Sequence, residues 1–181
     1  LGPAVELSVV VLPHPHQYKT LAVLERIFDT ALRDGHNRST TVVALGGGVI
    51  GDLVGFAAAV ARRGIRFVQV PTSLLAQVDS SVGGKTGINT AQGKNLVGAF
   101  HQPSLVLADT AALDTLPARD FRAGYGEVVK YGLIGDAEFF QWLERCGSTI
   151  ASGDQVARIA AVRRSVEMKA EIVARDETEQ G

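Results

Sequence analysis

The sequence has little of several features that mark large protein classes. It contains a single cysteine, Cys146, among 181 residues, so an internal disulfide is excluded and a reducing compartment is favoured. No apolar run approaches the ~20 residues of a membrane helix, and the first residues lack the basic start and cleavage site of a secretory signal. Its 18 basic residues are balanced by 19 acidic ones, so charge favours neither nucleic acid nor an anionic membrane as a partner. We therefore expect a soluble, cytoplasmic protein.

Both ends of the sequence are typical of a fragment. Leu1 stands where an initiator methionine would be expected, and a β-branched run, LSVVVL, follows at residues 7–12. The last residues, DETEQG, contain no apolar element. We expect an internal piece of a longer protein that lacks both ends.

The first part of the chain alternates between strand and helix patterns. Apolar residues at helical spacing follow residue 18 as far as Gly35, and an alanine-rich helical segment occupies residues 53–64. Strands are predicted at residues 7–12, 40–45, 67–70 and 104–108. This alternation predicts parallel βαβ units and hence an open, Rossmann-like α/β sheet.

The pattern changes near Asp109. No strand is predicted from Thr110 onward, Pro117 can begin a helix, and residues 136–146 and 155–175 are helical in pattern. We predict an α/β dinucleotide-binding domain at residues 1–109, followed at 110–181 by the start of an all-α metal and substrate domain.

A glycine motif follows the second strand. Residues 46–51, GGGVIG, satisfy the G-x-G-x-x-G spacing, with a strand before them and a helix after them. Such glycines let backbone amides approach a pyrophosphate at a helix N-terminus, although a plain tight turn would also fit. The motif lies on a later strand than usual, and no acid lies ~20 residues on to bind a ribose. Asp52 is the nearest acid.

The stretch QVDSSVGGKTGINTAQGKNLVGAF, at residues 77–100, is rich in glycine and carries two lysines. It misses the P-loop pattern by one residue, since Asp79 replaces the first glycine, and it does not spring directly from a strand. A glycine-rich surface loop is one interpretation. The other is that Lys85, Lys94 and Asn95 bind a phosphorylated or carboxylated substrate beside the dinucleotide.

Two further groups could bind a metal. Glu127 and Lys130 share one face of a helix. They could form a surface ion pair, or the face could be packed, in which case the Glu127 carboxylate needs a cation or a metal. His14 and His16 could chelate a metal, but a histidine pair without a third ligand is more often incidental. His36 and His101 are predicted to lie in a turn and a loop.

Taken together, these motifs resemble the 3-dehydroquinate synthase family of the shikimate pathway. The resemblance rests on residues 43–103, which run from VALGGGVIGD through PTSLLAQVDSSVGGKTGIN to GKNLVGAFHQP, and on GYGEVVKYGLI at residues 124–134. It extends over essentially the whole chain.

The resemblance implies an NAD- and zinc-dependent enzyme, with cobalt as an alternative metal. Its reaction would convert 3-deoxy-D-arabino-heptulosonate 7-phosphate to 3-dehydroquinate and phosphate in a homodimer. The residues implied to contact NAD are Gln17, Tyr18, Lys19, Gly48, Val49, Ile50, Gly51, Asp52, Thr72, Ser73, Asp79, Lys85, Lys94, Ala112, Leu113, Asp114 and Thr115. The residues implied to act in catalysis are Asp79, Lys85, Asn95, Lys130, Lys169 and Arg63, the last in the neighbouring subunit's site, and Glu127 would be a zinc ligand.

The implied chemistry needs these residue types. NAD⁺ would oxidise the C5 hydroxyl, phosphate would leave by elimination, the hydride would return, and an aldol closure would complete the ring. Zinc on Glu127 would act as a Lewis acid at the C5 oxygen, Lys85 would bind the phosphate, and Lys169 would pair with the carboxylate.

The sequence departs from the family's pattern at three places, one of which is that the amino-terminal part of the dinucleotide-binding domain is expected to be missing. The segment HPHQYK, at residues 14–19, keeps the last three residues of a D-G-E-Q-Y-K cofactor segment and loses both acids. A catalytic zinc usually has three protein ligands, and the family's two histidine ligands would fall beyond Gly181. We therefore expect the fragment alone to be inactive.

Three alternatives stay open at this stage. A metal-dependent polyol dehydrogenase would share the triple glycine and aspartate but would not need Lys85 and Lys94. A related sugar-phosphate cyclase would make a different carbocycle. A non-catalytic module would bind a dinucleotide without turnover.

Overall fold

The computed structural model describes residues 6–12, 19–33 and 35–178. Within them the helices are α1 (Leu21–Arg33), α2 (Gly48–Val60), α3 (Ala118–Gly135), α4 (Ala137–Ala151) and α5 (Gln155–Arg175). The strands are β1 (Thr41–Gly46), β2 (Arg66–Pro71), β3 (Lys85–Thr90), β4 (Gly93–Phe100) and β5 (Leu105–Val106). Short 3₁₀ turns occupy Ala61–Arg63 and Thr110–Thr115, and a single π-helical turn occupies Ala76–Ser80.

A parallel sheet forms the base of the α/β part. Its order is β1-β2-β5, with Val43 opposite Val68 and Gln69 opposite Val106. The predicted parallel α/β architecture is confirmed, as are the strands at 40–45, 67–70 and 104–108, although β5 has only two residues. Helix α2 begins inside the glycine motif, and Gly35, with φ of +74°, follows the end of α1 as predicted.

The strand predicted at residues 7–12 is wrong for this structure. These residues adopt no regular structure, and Leu7, Val9 and Val11 are 66–80% exposed. A β-branched run becomes a strand only where a neighbouring strand satisfies its backbone hydrogen bonds, and none of the described strands pairs with it.

Residues 85–100 of the glycine-rich stretch form a hairpin and not a loop. Strands β3 and β4 pair antiparallel around a two-residue turn at Ala91 and Gln92. The hairpin packs on α2 so closely that a Cβ on Gly55 would lie 2.5 Å from Thr86 Cγ2. Glycine is therefore required at position 55 by close approach.

Three apolar clusters lie among the described residues: the smallest contains Ala58, Ile65 and Phe67, and the two larger ones hold these layers together. The first joins α1 and α2 to the hairpin through residues such as Leu24, Leu53 and Ile88. The second joins the three C-terminal helices to the segment after β2, which contributes Leu74 and Val78. No described residue after Val106 lies in a strand, which agrees with the predicted helical region. The division into domains at 109/110 stays a prediction.

No helix in the described ranges has both the length and the apolar character needed to cross a membrane.

Candidate functional site

The glycine turn lies at the carboxyl end of β1, where the first turn of α2 begins. A Cβ on Gly48 would lie 2.8 Å from Ser80 Oγ, so a side chain at this position would collide with the neighbouring segment. The first N–H groups of a helix have no partner within the helix and can bind an anion. The turn is thus a cradle of backbone donors that is kept open by its glycines, and it fits a pyrophosphate.

The segment after β2 packs against this turn. Thr72 donates its backbone N–H to the carbonyl of Gly46 at 3.0 Å, and a Cβ on Gly47 would lie 3.4 Å from Ser73 Oγ. Both strands are parallel, so their carboxyl ends lie at the same edge of the sheet. The structure therefore brings Thr72 and Ser73 against Gly46 and Gly47, directly before the predicted cofactor-binding residues Gly48, Val49, Ile50, Gly51 and Asp52. Contact of these residues with a cofactor stays a prediction.

Lys19 connects the glycine turn to the hairpin. Its Nζ donates to Asp52 Oδ2 and to Asn95 Oδ1, each at 2.5 Å, and the residue is only 5% exposed. Burial raises the pKa of Asp52 above its ordinary value, and the hydrogen bond and charge of Lys19 offset this only in part. Three residues that are far apart in sequence thus form one polar contact around the buried Lys19.

A second polar cluster surrounds Asp79 in the π-helical turn. Lys169 of α5 donates to Asp79 Oδ1 at 2.7 Å and to the Asp79 carbonyl at 2.5 Å. The hydroxyl of Tyr131 on α3 lies 3.1 Å from the Val78 carbonyl and 3.3 Å from Asp79 Oδ1. Burial raises the pKa of Tyr131, and the negative charge of Asp79 raises it further, so the hydroxyl stays a donor.

The two clusters belong to one site. A Cβ on Gly48 in the glycine turn would lie 2.8 Å from the Oγ of Ser80, the residue that follows Asp79, so the two clusters are adjacent. The charges of Asp79 and Lys169 accordingly influence the pKa of Asp52. The site thus lies between the glycine turn, the hairpin and the facing sides of α3 and α5.

Glu127 is the candidate metal ligand in this site. Its Oε2 is buried and forms an ion pair with the ammonium of Lys130, one turn along α3. The Lys130 side chain is 47% exposed, and its Nζ lies 5.3 Å from the centre of the Tyr131 ring. Among the described residues, no group of three His, Cys, Asp or Glu side chains could hold a metal ion. Glu127 can therefore supply one ligand, and the described residues do not complete a zinc site.

The other predicted residues lie around this centre or away from it. Lys85 begins β3 and Lys94 lies in β4, both with exposed side chains. Arg63 is exposed and follows Arg62 in a turn where both have positive φ values, 65° and 51°. No contact joins Arg63 to the centre in the described part of the chain. Gln17, Tyr18, His14 and His16 lie outside the described residues.

The 3₁₀ turn at residues 110–115 is held in place by a buried side chain and by hydrogen bonds from neighbouring segments. Leu113 is 2% exposed in the C-terminal core, so only its backbone can face a ligand. Asp114 accepts a hydrogen bond from Arg158 Nη1 at 2.5 Å. Gln77 Nε2 donates to the carbonyls of Pro71 and Asp109, which ties the turn to the end of β2. Contact of Ala112, Leu113, Asp114 and Thr115 with a cofactor stays a prediction.

The remaining described histidines have structural contacts. His36 Nε2 lies 2.9 Å from Ser8 Oγ, and His101 Nε2 lies 2.9 Å from the Ile65 carbonyl while its ring stacks on Phe67. Neither is part of the site.

Three residues that support the site were not predicted from the sequence: Tyr131 and Asn89 contact site residues, and Gln77 contacts the segments beside them. Tyr131 adjoins Lys130 in GYGEVVKYG, where a polar aromatic on an otherwise apolar helix face was the available signal. Gln77 and Asn89 carried no signal in the sequence, because their partners are distant backbone groups.

Comparison with known proteins gives this site a family context. Residues 9–123 match the family described as 3-dehydroquinate synthase N-terminal, and residues 124–181 match 3-dehydroquinate synthase C-terminal. The 3-dehydroquinate synthase of Roseobacter denitrificans is 68% identical over 177 residues, which are 98% of this chain and 48% of that protein. That of Cereibacter sphaeroides is 70% identical over 174 residues, 96% of this chain and 47% of that protein. The chain thus spans about half the length of these relatives.

Solved structures agree with the fold. The 2-epi-5-epi-valiolone synthase of Streptomyces hygroscopicus, determined with NAD⁺ and Zn²⁺ bound, superposes with a TM-score of 0.89 at 34% identity, covering 93% of this chain and 48% of that one. A 2-deoxy-scyllo-inosose synthase complexed with carbaglucose-6-phosphate, NAD⁺ and Co²⁺ gives 0.81 at 33% identity, covering 92% and 46%. An NADH-dependent butanol dehydrogenase of Thermotoga maritima shares the fold alone, with a TM-score of 0.62 at 14% identity over 85% and 46% of the two chains.

Proposed function

Since the chain belongs to the 3-dehydroquinate synthase family, we propose that its parent protein converts 3-deoxy-D-arabino-heptulosonate 7-phosphate to 3-dehydroquinate and phosphate. The observation that carries this proposal is the high identity to 3-dehydroquinate synthases along almost the whole chain. The net reaction is a carbon–oxygen lyase reaction of the shikimate pathway, because the cofactor is regenerated in each turnover. No described feature favours a polyol dehydrogenase or a non-catalytic module.

NAD would bind with its pyrophosphate at the glycine turn. The donors there belong to the first turn of α2, and Thr72 and Ser73 line the same edge. Bound NAD⁺ would supply a hydride acceptor for one substrate hydroxyl. Lys19 and Asp52 close the site toward the hairpin, and their ion pair is nearly excluded from water, with 6% and 22% of the side chains exposed.

The substrate's anionic groups would be held by lysines. A lysine ammonium has three donors, and Lys169 uses two of them on Asp79. The third can pair with the substrate carboxylate, while Asp79 keeps the ammonium in place. Lys85, Lys94 and Asn95 lie on the hairpin, whose exposed face would meet the phosphate.

Zinc would be held in part by the carboxylate of Glu127, whose buried Oε2 also contacts the Lys130 ammonium. The remaining ligands would come from the half of the parent protein that lies outside this chain. Because a catalytic zinc needs about three protein ligands, this chain alone would be inactive.

We further propose that the parent protein acts as a cytoplasmic homodimer. Arg63 supports the dimer, because it is exposed and lies in a strained left-handed turn, and such strain is often kept at functional positions. Its partner would be the neighbouring subunit's substrate.

The test is phosphate release from the heptulosonate phosphate by the parent protein. Release should require NAD, should stop after metal chelation and should resume with Zn²⁺ or Co²⁺, without accumulation of NADH. Net NADH formation would instead indicate a dehydrogenase, and inertness toward this substrate would contradict the proposal. As a matched pair for NAD affinity, Gly48→Ala should weaken binding about ten-fold through its collision with Ser80. Gly135→Ala, on α3, should not weaken it, because a Cβ there would lie 3.6 Å from its nearest neighbour, Met168 Cε.

A further inference from the structure

The hairpin is irregular at the point where it meets the site. Ile88 pairs with Val97 and Thr90 pairs with Gly93, so Asn89 alone on β3 stands opposite three residues of β4. Those three residues are Lys94, Asn95 and Leu96. Bulges of this kind free backbone groups from the ladder and redirect side chains, often next to active sites.

Asn89 uses the irregularity to make two contacts outside the ladder. Its backbone N–H donates to the Lys19 carbonyl at 2.7 Å. Its side-chain Oδ1 accepts a hydrogen bond from the Asn95 backbone N–H at 3.1 Å. The same residue thus holds both Lys19 and Asn95, which also contact each other through Lys19 Nζ and Asn95 Oδ1.

Asn95 needs this support because its backbone is strained. Its φ is +58°, in the left-handed region that residues with a Cβ seldom adopt, although asparagine tolerates it better than most. Asn95 is also exposed, so packing does not impose this conformation. The hydrogen bond from the Asn95 N–H to Asn89 Oδ1 stabilises the strained conformation.

We propose that Asn89 is a positioning residue for the reaction: it holds Asn95 in the left-handed conformation that aims its amide at Lys19 and at the substrate space. This positioning role rests on the proposed function only where it is tested by kinetics with the proposed substrate. Asn89 itself does not touch the reacting atoms in this arrangement; it acts through Asn95.

The first test is Asn89→Ala in the parent protein. We expect kcat/KM for the heptulosonate phosphate to fall about ten-fold, mostly through kcat, with the melting temperature within about 3 °C of the wild type. Asn89→Asp keeps an acceptor at the same place, so it should recover at least half of the lost kcat/KM on a logarithmic scale. Asn37→Ala is the matched control, because Asn37 Oδ1 accepts from the Ser39 N–H at 2.8 Å in an exposed turn away from the site; its kinetics should equal the wild type.

A double-variant cycle separates positioning from general damage. Glycine adopts positive φ without support, so Asn89→Ala should cost less than about two-fold when added to Asn95→Gly. A full ten-fold loss in that background, or wild-type kinetics of Asn89→Ala alone, would overturn the inference.

If the proposed function is wrong, a crystal structure of the parent protein with Asn89→Ala still tests the positioning role. A wild-type protein that releases no phosphate would contradict the function alone. In the variant structure, Asn95 should leave the left-handed region or lose its contact with Lys19. Retention of both would refute the positioning role.

Discussion

Lys169 Nζ contacts both the carboxylate and the carbonyl oxygen of Asp79, at 2.7 and 2.5 Å, across 90 residues of sequence. The contact joins the long C-terminal helix α5 to the π-helical turn after β2. Single π-helical turns are rare and often mark functional sites. The helical region therefore contributes a side chain to the site beside the glycine turn and is more than an attachment to the α/β part.

Replacing Lys169 with Met should lower turnover of the parent protein by about 100-fold, because Asp79 loses its cation and the substrate carboxylate loses a donor. The dissociation constant for NAD should change less than about three-fold, since the glycine turn is untouched. Steady-state kinetics and NAD titration measure the two effects. Glu171→Gln, which removes an exposed charge two residues along α5, is the control; a Lys169→Met enzyme as active as this control would refute the assignment.

Two glycines on α3 should respond oppositely to alanine. A Cβ on Gly124 would lie 2.5 Å from the Leu75 backbone nitrogen, which cannot move aside, so Gly124→Ala should lower the free energy of unfolding by about 2 kcal/mol or more. Gly126 has no atom within 4 Å of such a Cβ, and Gly126→Ala should raise it by about 0.5 kcal/mol through helix propensity. Urea unfolding measures both; equal effects would show that α3 does not pack as described.

Asp136 should make stability depend on pH. It caps α4 by accepting from the Phe139 N–H at 2.9 Å, and it also accepts from Arg164 Nε at 2.8 Å. The Phe139 bond first, and Arg164 second, lower the pKa of this carboxyl in the folded state. The stabilisation is thus complete above the unfolded pKa of about 3.9 and is lost as pH falls through the lower folded pKa.

Asp136→Asn tests this directly. At pH 7 the variant should have a lower free energy of unfolding than the wild type. This difference should shrink as pH falls from about 5 to 3, and urea titrations at each pH measure it. Glu144→Gln, an exposed carboxylate on the same helix, should show no such narrowing. A difference that is constant with pH would contradict the role of the Asp136 charge.

Arg158 should be the most costly arginine on α5 to remove. It is 5% exposed, donates to the Ile150 carbonyl at 3.1 Å and to Asp114 at 2.5 Å, and lies 5.3 Å from the centre of the Phe121 ring. Arg158→Met should lower the free energy of unfolding by about 2–3 kcal/mol, because it leaves polar partners unsatisfied.

Arg163→Met is the matched control for this prediction. Arg163 pairs with Glu167 on the same helix but is 78% exposed, so its loss should cost less than about 0.5 kcal/mol. If the two variants unfold alike, the Arg158 contacts contribute nothing beyond a surface ion pair. A parallel NAD titration of Arg158→Met tests whether the turn at Thr110–Thr115 faces the cofactor.

Local patterns predicted most of the regular structure. Residues 155–175 coincide with α5, and the strands before and after the glycine turn were placed within a residue or two. Hydrophobic spacing and glycine or proline at the ends act over a few residues, so they can be read directly. The hairpin was missed because glycines and polar residues hide its alternation, and residues 7–12 were mispredicted because an apolar run does not reveal whether a strand lies beside it.

The sequence by itself determined the helices, the parallel strands, the glycine turn and, through its long ordered motifs, the family. Only the tertiary structure decided that Lys19 lies between Asp52 and Asn95, that Lys169 pairs with Asp79, and that a bulge places Asn89 against both Lys19 and Asn95. The physical reason is that hydrogen bonds between distant residues depend on how helices and strands pack, and no local propensity encodes that packing.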